Sequence, residues 1–156
     1  MSAARKPAPA GSDHALLELE HFLPYRLSVL SNTISQSIAD EYQREFDLSM
    51  TEWRVMAVLA RFEGLSAREV AERTAMDKVA VSRALARLVA AGRVRRTTHA
   101  GDKRRSVLAL TAAGWKIHDK VAPMARARER AVLARLDEEE RRWLARILDK
   151  LCQDLC

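Results

Sequence analysis

The sequence predicts a mainly α-helical chain of the α+β class, with a single two-stranded hairpin appended to a helical body. Three observations carry this. Apolar residues recur every three or four positions over most of the 156 residues. Three Ser/Asp-x-x-Glu stretches have the spacing of helix starts. One segment, residues 94–111, abandons the helical period for β-favouring residues on either side of a turn. A lone hairpin cannot bury a sheet core of its own, so it must lean on the helices.

The elements follow in chain order. Residues 1–12 are rich in Ala, Pro and Ser, with two cations and no apolar run. They read as a disordered tail and not as a secretory leader, which places the chain in the cytoplasm. From Asp13 to about Phe46, Leu16, Leu19, Leu23, Leu27, Leu30, Ile34 and Ile38 repeat at helical spacing. Pro24 either starts a second helical stretch or kinks the first, because it has no N–H for the preceding turn. Ser49 and Glu52 open a helix with apolar residues on two sides, Trp53, Met56, Ala57 and Ala60 on one and Val55, Leu59 and Phe62 on the other. Such a helix belongs in the middle of a body. Gly64 ends it. Ser66 and Glu69 open a short helix, and Asp77 is a good N-cap for a third, ended by Gly92.

Val94, Thr97 and Thr98 favour a strand, Ala-Gly-Asp makes a turn, and Val107, Leu108 and Leu110 favour the return strand. Thr111 caps a long helix with a bend expected at Pro123. Asp137 and Glu140 open the last helix, where Leu144, Ile147, Leu148, Leu151 and Leu155 share helical spacing.

Charge narrows the function. The formal net charge is +6, and the segment from Leu65 to Thr111 alone holds eleven Lys or Arg against four Asp or Glu. A local basic excess suits a phosphate-bearing partner better than solubility, which would spread it. In the helix after Asp77, Val81, Ala84, Leu85, Leu88 and Val89 form the core face. The opposite face carries Val79, Ser82, Arg83, Ala86, Arg87 and Ala90, small and cationic with no carboxylate. Small residues let a helix seat in a major groove, and Lys78, Val79, Ser82, Arg83 and Arg87 are the candidate contacts with double-stranded DNA. The hairpin tip supplies Asp102, Lys103, Arg104 and Arg105, cations on a narrow projection that suits a minor groove. Asp102 can brace the turn by pairing with Arg104.

The stretches "LSMTEWRVMAVLA", "SAREVAERTAMDKVAVSRALARLVAAGRVRR" and "GDKRRSVLALT" resemble the winged helix-turn-helix regulators of the multiple antibiotic resistance regulator (MarR) family. The similarity spans about Phe22 to Leu151. The wing pattern, Asp-x-Arg ahead of Leu-Thr, falls on Asp102, Arg104, Leu110 and Thr111. The resemblance implies a homodimer joined through N- and C-terminal helices, a pseudo-palindromic promoter site, and repression relieved by a small ligand. It divides the chain into dimerisation and ligand-region helices (13–48), a DNA-binding lobe (49–111) and C-terminal dimerisation helices (112–156). Physical reasoning also favours the dimer: Leu16 and Leu19, with Leu144, Ile147, Leu148 and Leu151, lie on apolar stripes that one short chain has little else to cover.

In the family, ligands lodge between the dimer helices and the DNA-binding lobe. Arg26 could clamp a carboxylate, His21, Ser28 and Asn32 could orient a phenol or amide, and Trp53 could wall the pocket. The alternative for Arg26 is an acid across the dimer. "FLPYRLSVLSN" resembles members that respond to aromatic acids or their thioesters, which implies an effector of that class. Peroxide-sensing relatives place a cysteine in the N-terminal helices; here Cys152 and Cys156 are the only cysteines. They read as reduced thiols, with a redox role as the sharper alternative. The four histidines have no short metal-ligand spacing, so neither a metal nor a cofactor is expected. No catalytic motif accompanies the five glycines, so an enzyme is not expected. Nor is a membrane partner, since no apolar run reaches spanning length. A constitutive architectural DNA-binding protein, or a redox or metal sensor of the same fold, is the alternative.

Overall fold

The computed structural model describes residues 15–99 and 102–155, with the side chains of residues 99, 102–105 and 154–155 outside that description. The expected tail and Cys156 therefore lie outside the described residues. The element order is α1 (Leu23–Phe46), α2 (Met50–Arg61), α3 (Ala67–Thr74), α4 (Lys78–Ala90), β1 (Val94–His99), β2 (Asp102–Leu110), α5 (Ala112–Leu133) and α6 (Glu138–Leu155). The chain forms two compact units, Met1–Asn32 and Thr33–Cys156.

In the first unit, the expected helix through Leu16 and Leu19 is not formed. Residues 15–18 are irregular, and a single turn follows in which the His21 and Phe22 N–H groups both donate to Glu18 O at 3.1 Å. Helix α1 begins only at Leu23, which places Pro24 in its first turn. There the missing N–H is one that a helix leaves unsatisfied anyway. A separate helix of about ten residues upstream would be too short to hold in water without a packed face. Leu16 and Leu19 are exposed.

In the second unit, α2 is the central element, with Val55, Met56 and Leu59 buried. Around it lie Ala39 and Tyr42 of α1, Val70 and Ala71 of α3, Val81, Ala84, Leu85 and Leu88 of α4, Val94, Leu108 and Leu110 of the hairpin, and Val121 of α5. Each large apolar side chain so buried contributes about 1.5–3 kcal/mol. Val89, expected in this core, is instead 39% exposed: it sits at the edge of the apolar face of α4, and Leu88 beside it takes the buried position.

Both Ser boxes close as expected. Ser49 Oγ accepts from Glu52 N and Glu52 Oε2 from Ser49 N; Ser66 and Glu69 repeat the pattern. Asp137 and Glu140 exchange the same two bonds at 2.8 Å ahead of α6. Each cap is worth roughly 1 kcal/mol. Gly64 and Gly92 take φ of +69° and +67°, the left-handed conformation that ends a helix without a Cβ clash. Helix α5 continues through Pro123 as one element.

The hairpin pairs antiparallel, Val94 opposite Leu110 and Arg96 opposite Leu108, with an irregularity between Thr98 and His99. Its base is fixed at two points. Leu108 N donates to Leu65 O at 2.8 Å, which joins β2 to the turn between α2 and α3. Thr111 N donates to Arg93 O at 3.0 Å, and Thr111 Oγ1 donates to Gly92 O at 2.6 Å. The wing is thereby referred directly to the helix-turn-helix.

Candidate nucleic-acid interface

The turn from α3 to α4 sets the angle of α4. Ala75 ends α3 in the left-handed region, φ 51°, a strained choice for a residue with a Cβ. Asp77 then caps α4, its Oδ1 accepting from Val79 N at 3.0 Å and Ala80 N at 2.9 Å. With Val81, Ala84, Leu85 and Leu88 buried, the opposite side of α4 is forced outward. Lys78, Val79, Ser82, Arg83, Ala86, Arg87 and Ala90 are all exposed. Val79, at 56%, gives the face an apolar point near the helix N-terminus that could meet a thymine methyl.

The cations of the basic segment divide into two kinds. Arg68 pairs with Glu72 at 2.8 Å. Arg73 stacks on the Phe62 ring at 4.1 Å. Arg93 donates from both terminal nitrogens to the Phe46 and Asp47 carbonyls and so closes the C-terminus of α1. Arg87 Nε lies 3.1 Å from Glu52 Oε1. Lys78, Arg83, Arg95 and Arg96 make no ion pair among the described residues. Sequence reasoning placed Arg87 on a face without carboxylates, and the structure brings one to it from α2. The signal was present, since Glu52 is the inner member of a capping box, but nothing local showed which residue its second oxygen meets.

Of the wing candidates, the structure places the backbone of Asp102, Lys103, Arg104 and Arg105 at the start of β2. Their side chains, and the expected Asp102–Arg104 pair, lie outside the described residues.

Of the expected ligand residues, His21, Arg26, Ser28 and Asn32 fall in the first unit and Trp53 in the second. His21 lies 3.4 Å from Glu18, and both are exposed. Arg26, Ser28 and Asn32 are exposed on α1. A cleft of about 120 Å³ is lined instead by Ser35, Ile38 and Tyr42 of α1 and Met50, Trp53, Arg54 and Ala57 of α2. Only Trp53 of the five candidates lines it. Sequence reasoning missed Tyr42, whose hydroxyl is buried without a hydrogen-bond partner among the described residues. Burial pushes this phenol up to about 12, against a smaller opposing pull from the Arg54 guanidinium. Arg54 Nη2 donates to Ser35 Oγ at 3.5 Å. Trp53 is stacked on the His118 ring at 5.7 Å, and Trp115 meets His118 edge-on at 5.3 Å.

The last helix presents Trp143, Leu144, Ile147, Leu148 and Leu151 to solvent, each more than a third exposed. No helix among the described residues is long and apolar enough to cross a membrane, and no group of three potential metal ligands is found among them.

The chain is similar to known transcriptional regulators. Residues 46–105 match the model of the MarR family. The transcriptional regulator HosA of Escherichia coli is 30% identical over 105 residues, which cover 67% of this chain and 78% of that one. The HTH-type transcriptional repressor Rv2887 of Mycobacterium tuberculosis is 29% identical over 134 residues, 85% of this chain and 93% of its own. A MarR/EmrR family transcriptional regulator from Acinetobacter sp. ADP1 has a solved structure that superposes with a TM-score of 0.80 at 26% identity, covering 89% of this chain and 98% of that one.

Proposed function

Because the chain belongs to the MarR family of DNA-binding transcriptional regulators, we propose that it is a cytoplasmic repressor that grips a pseudo-palindromic promoter site as a homodimer and releases it on binding a small aromatic carboxylate or its thioester. The outer face of α4 carries this reading. It is exposed, small and cationic, and Lys78 and Arg83 have no acidic partner among the described residues. Lys78, Val79, Ser82 and Arg83 meet base edges and phosphates in the major groove, with Arg87 further along the same face. The wing cations Lys103, Arg104 and Arg105 meet the neighbouring minor groove. Residues 49–111 form the DNA-binding lobe.

The dimer reading is supported by the apolar face of α6, Leu144, Ile147, Leu148 and Leu151 with Trp143, and by the exposed Leu23, Leu27 and Leu30 of α1. Two-fold symmetry would then set two recognition helices about one turn of DNA apart, roughly 34 Å.

For the effector, the α1–α2 cleft supports a planar ring with one polar end. Its volume approaches the ~150 Å³ of a cavity known to hold benzene. Trp53 and Met50 offer apolar walls, and Tyr42 and Arg54 offer a donor and a cation to a carboxylate. Release requires that the ligand bind the DNA-incompetent arrangement better, with a typical coupling of about 1–3 kcal/mol.

Sequencing the genomic fragments retained by the protein, followed by fluorescence anisotropy on the recovered site with and without a panel of aromatic acids and thioesters, tests the reading. A two-fold site released by one of these compounds is the expected result. Retention of DNA in the presence of every compound, or release by peroxide or a metal alone, would overturn the effector class.

A further inference from the structure

The function of Glu52 is not exhausted by its capping box. Its side chain is 3% exposed while that of Arg87, its partner, is 64% exposed. The two carboxylate oxygens are divided between two tasks. Oε2 accepts from Ser49 N at 2.7 Å and holds the first turn of α2. Oε1 lies 3.1 Å from Arg87 Nε on the outer face of α4. The contact is made through Nε, the atom nearest the aliphatic stem, and the Arg87 side chain as a whole stays largely exposed, which leaves the far edge of the guanidinium open to a second partner. A guanidinium is the side chain that can pair through one edge and present another.

Resting on the reading that the outer face of α4 meets DNA, we propose that Glu52 is a positioning residue for DNA binding: it fixes Arg87 before the encounter so that the terminal nitrogens face the DNA backbone. An unrestrained arginine must surrender its rotamer freedom on binding, and one already held by a buried carboxylate surrenders less. The inference reverses the sign that charge counting gives. Removing an anion near a polyanionic ligand should tighten binding, whereas removing a positioning anion weakens it.

The test is operator affinity of the full-length protein by fluorescence anisotropy over a range of salt, with folding checked by circular dichroism, for Glu52→Gln, Arg87→Ala, the double variant, Arg87→Lys and Arg83→Ala. A glutamine has one acceptor oxygen and cannot serve Ser49 N and Arg87 Nε together. Glu52→Gln should weaken binding about two- to tenfold with the salt dependence unchanged, because no phosphate contact is deleted. The same substitution in the Arg87→Ala background should change nothing further. Arg87→Lys keeps both the charge and the ion pair, so it remains informative if Glu52→Gln does not fold. Its single ammonium would be the atom held by Glu52 and also the only atom able to reach a phosphate, so it should bind as weakly as Arg87→Ala. Tighter or unchanged binding by folded Glu52→Gln overturns the proposal. So does an equal loss in the Arg87→Ala background, or wild-type affinity in Arg87→Lys. If Arg83→Ala also leaves affinity unchanged, the reading of α4 as the DNA face falls and the proposal with it; if Arg83→Ala weakens binding, only the positioning role falls.

Discussion

Gly114→Ala should destabilise the protein, although glycine is a poor residue for a helix. A Cβ built on Gly114 would lie 2.1 Å from Arg93 O, 3.2 Å from Arg93 C and 3.3 Å from Leu110 Cδ2. The first contact is with backbone, so no rotamer change relieves it. Arg93 is also poorly able to retreat. Its carbonyl accepts from Thr111 N at 3.0 Å, its N–H donates to Leu88 O at 2.9 Å, and its side chain is bonded to the end of α1. Ordinary contact requires the two atoms to separate by more than an ångström, which breaks the Thr111 bond. Forcing extra volume into a packed site costs about 1–3 kcal/mol, and the lost hydrogen bond about 1 kcal/mol. The better helix propensity of alanine returns about 1 kcal/mol. The net loss is about 1–3 kcal/mol, which at roughly 2–4 °C per kcal/mol for a chain of this size lowers Tm by roughly 2–12 °C. Thermal unfolding followed at 222 nm, at one fixed protein concentration because self-association shifts Tm, reads this directly. An unchanged or raised Tm would show that the joint between β1 and α5 yields at no cost, and would refute the reasoning.

Three further outcomes are expected. Arg83→Ala should cost roughly 1–3 kcal/mol on the best site and relax base preference at one position in each half-site, measured by affinity selection; a uniform loss across sequences would make Arg83 a phosphate contact only. Leu148→Asp should shift the protein toward monomer or unfolding in sedimentation equilibrium, since the dimer would bury an unpaired charge, and a wild-type protein that is cleanly monomeric at micromolar concentration would end the two-half-site reading. Tyr42→Phe removes a buried hydroxyl that has no partner among the described residues and should leave stability at neutral pH unchanged or higher. The Tyr42 phenol rises from 10.0 to about 12 in the folded chain, so between those values the unfolded chain loses a proton that the folded chain keeps. Stability therefore falls across that window. The fall should be shallower in Tyr42→Phe, and identical alkaline unfolding curves would exclude Tyr42 as its source.

Much of this molecule is written locally. The helix starts at Ser49, Ser66, Asp77 and Asp137 were legible because a cap is an interaction over two or three residues. The buried face of α4 was legible because the helical period fixes which side chains point together, and its exposed cationic side followed as the remainder. Val89 marks where that argument stops, since periodicity says which way a residue points but not whether a neighbour reaches it. Pro24 was ambiguous in sequence because a proline suits the start of one helix as well as the kink of another. The absence of a helix through Leu16 and Leu19 shows which held.

What only the tertiary structure decided are partnerships across long separations. Glu52 with Arg87, Leu65 with Leu108, Arg93 with the end of α1, and Gly114 against Arg93 each join residues at least twenty positions apart. Tyr42 is the clearest case. Its place in a helical stripe says only that it turns inward; that it meets a cleft, and no acceptor, depends on how α1 and α2 pack. Hydrogen bonds and close contacts act over a few ångströms, and nothing in residue spacing specifies which distant segments come within that range.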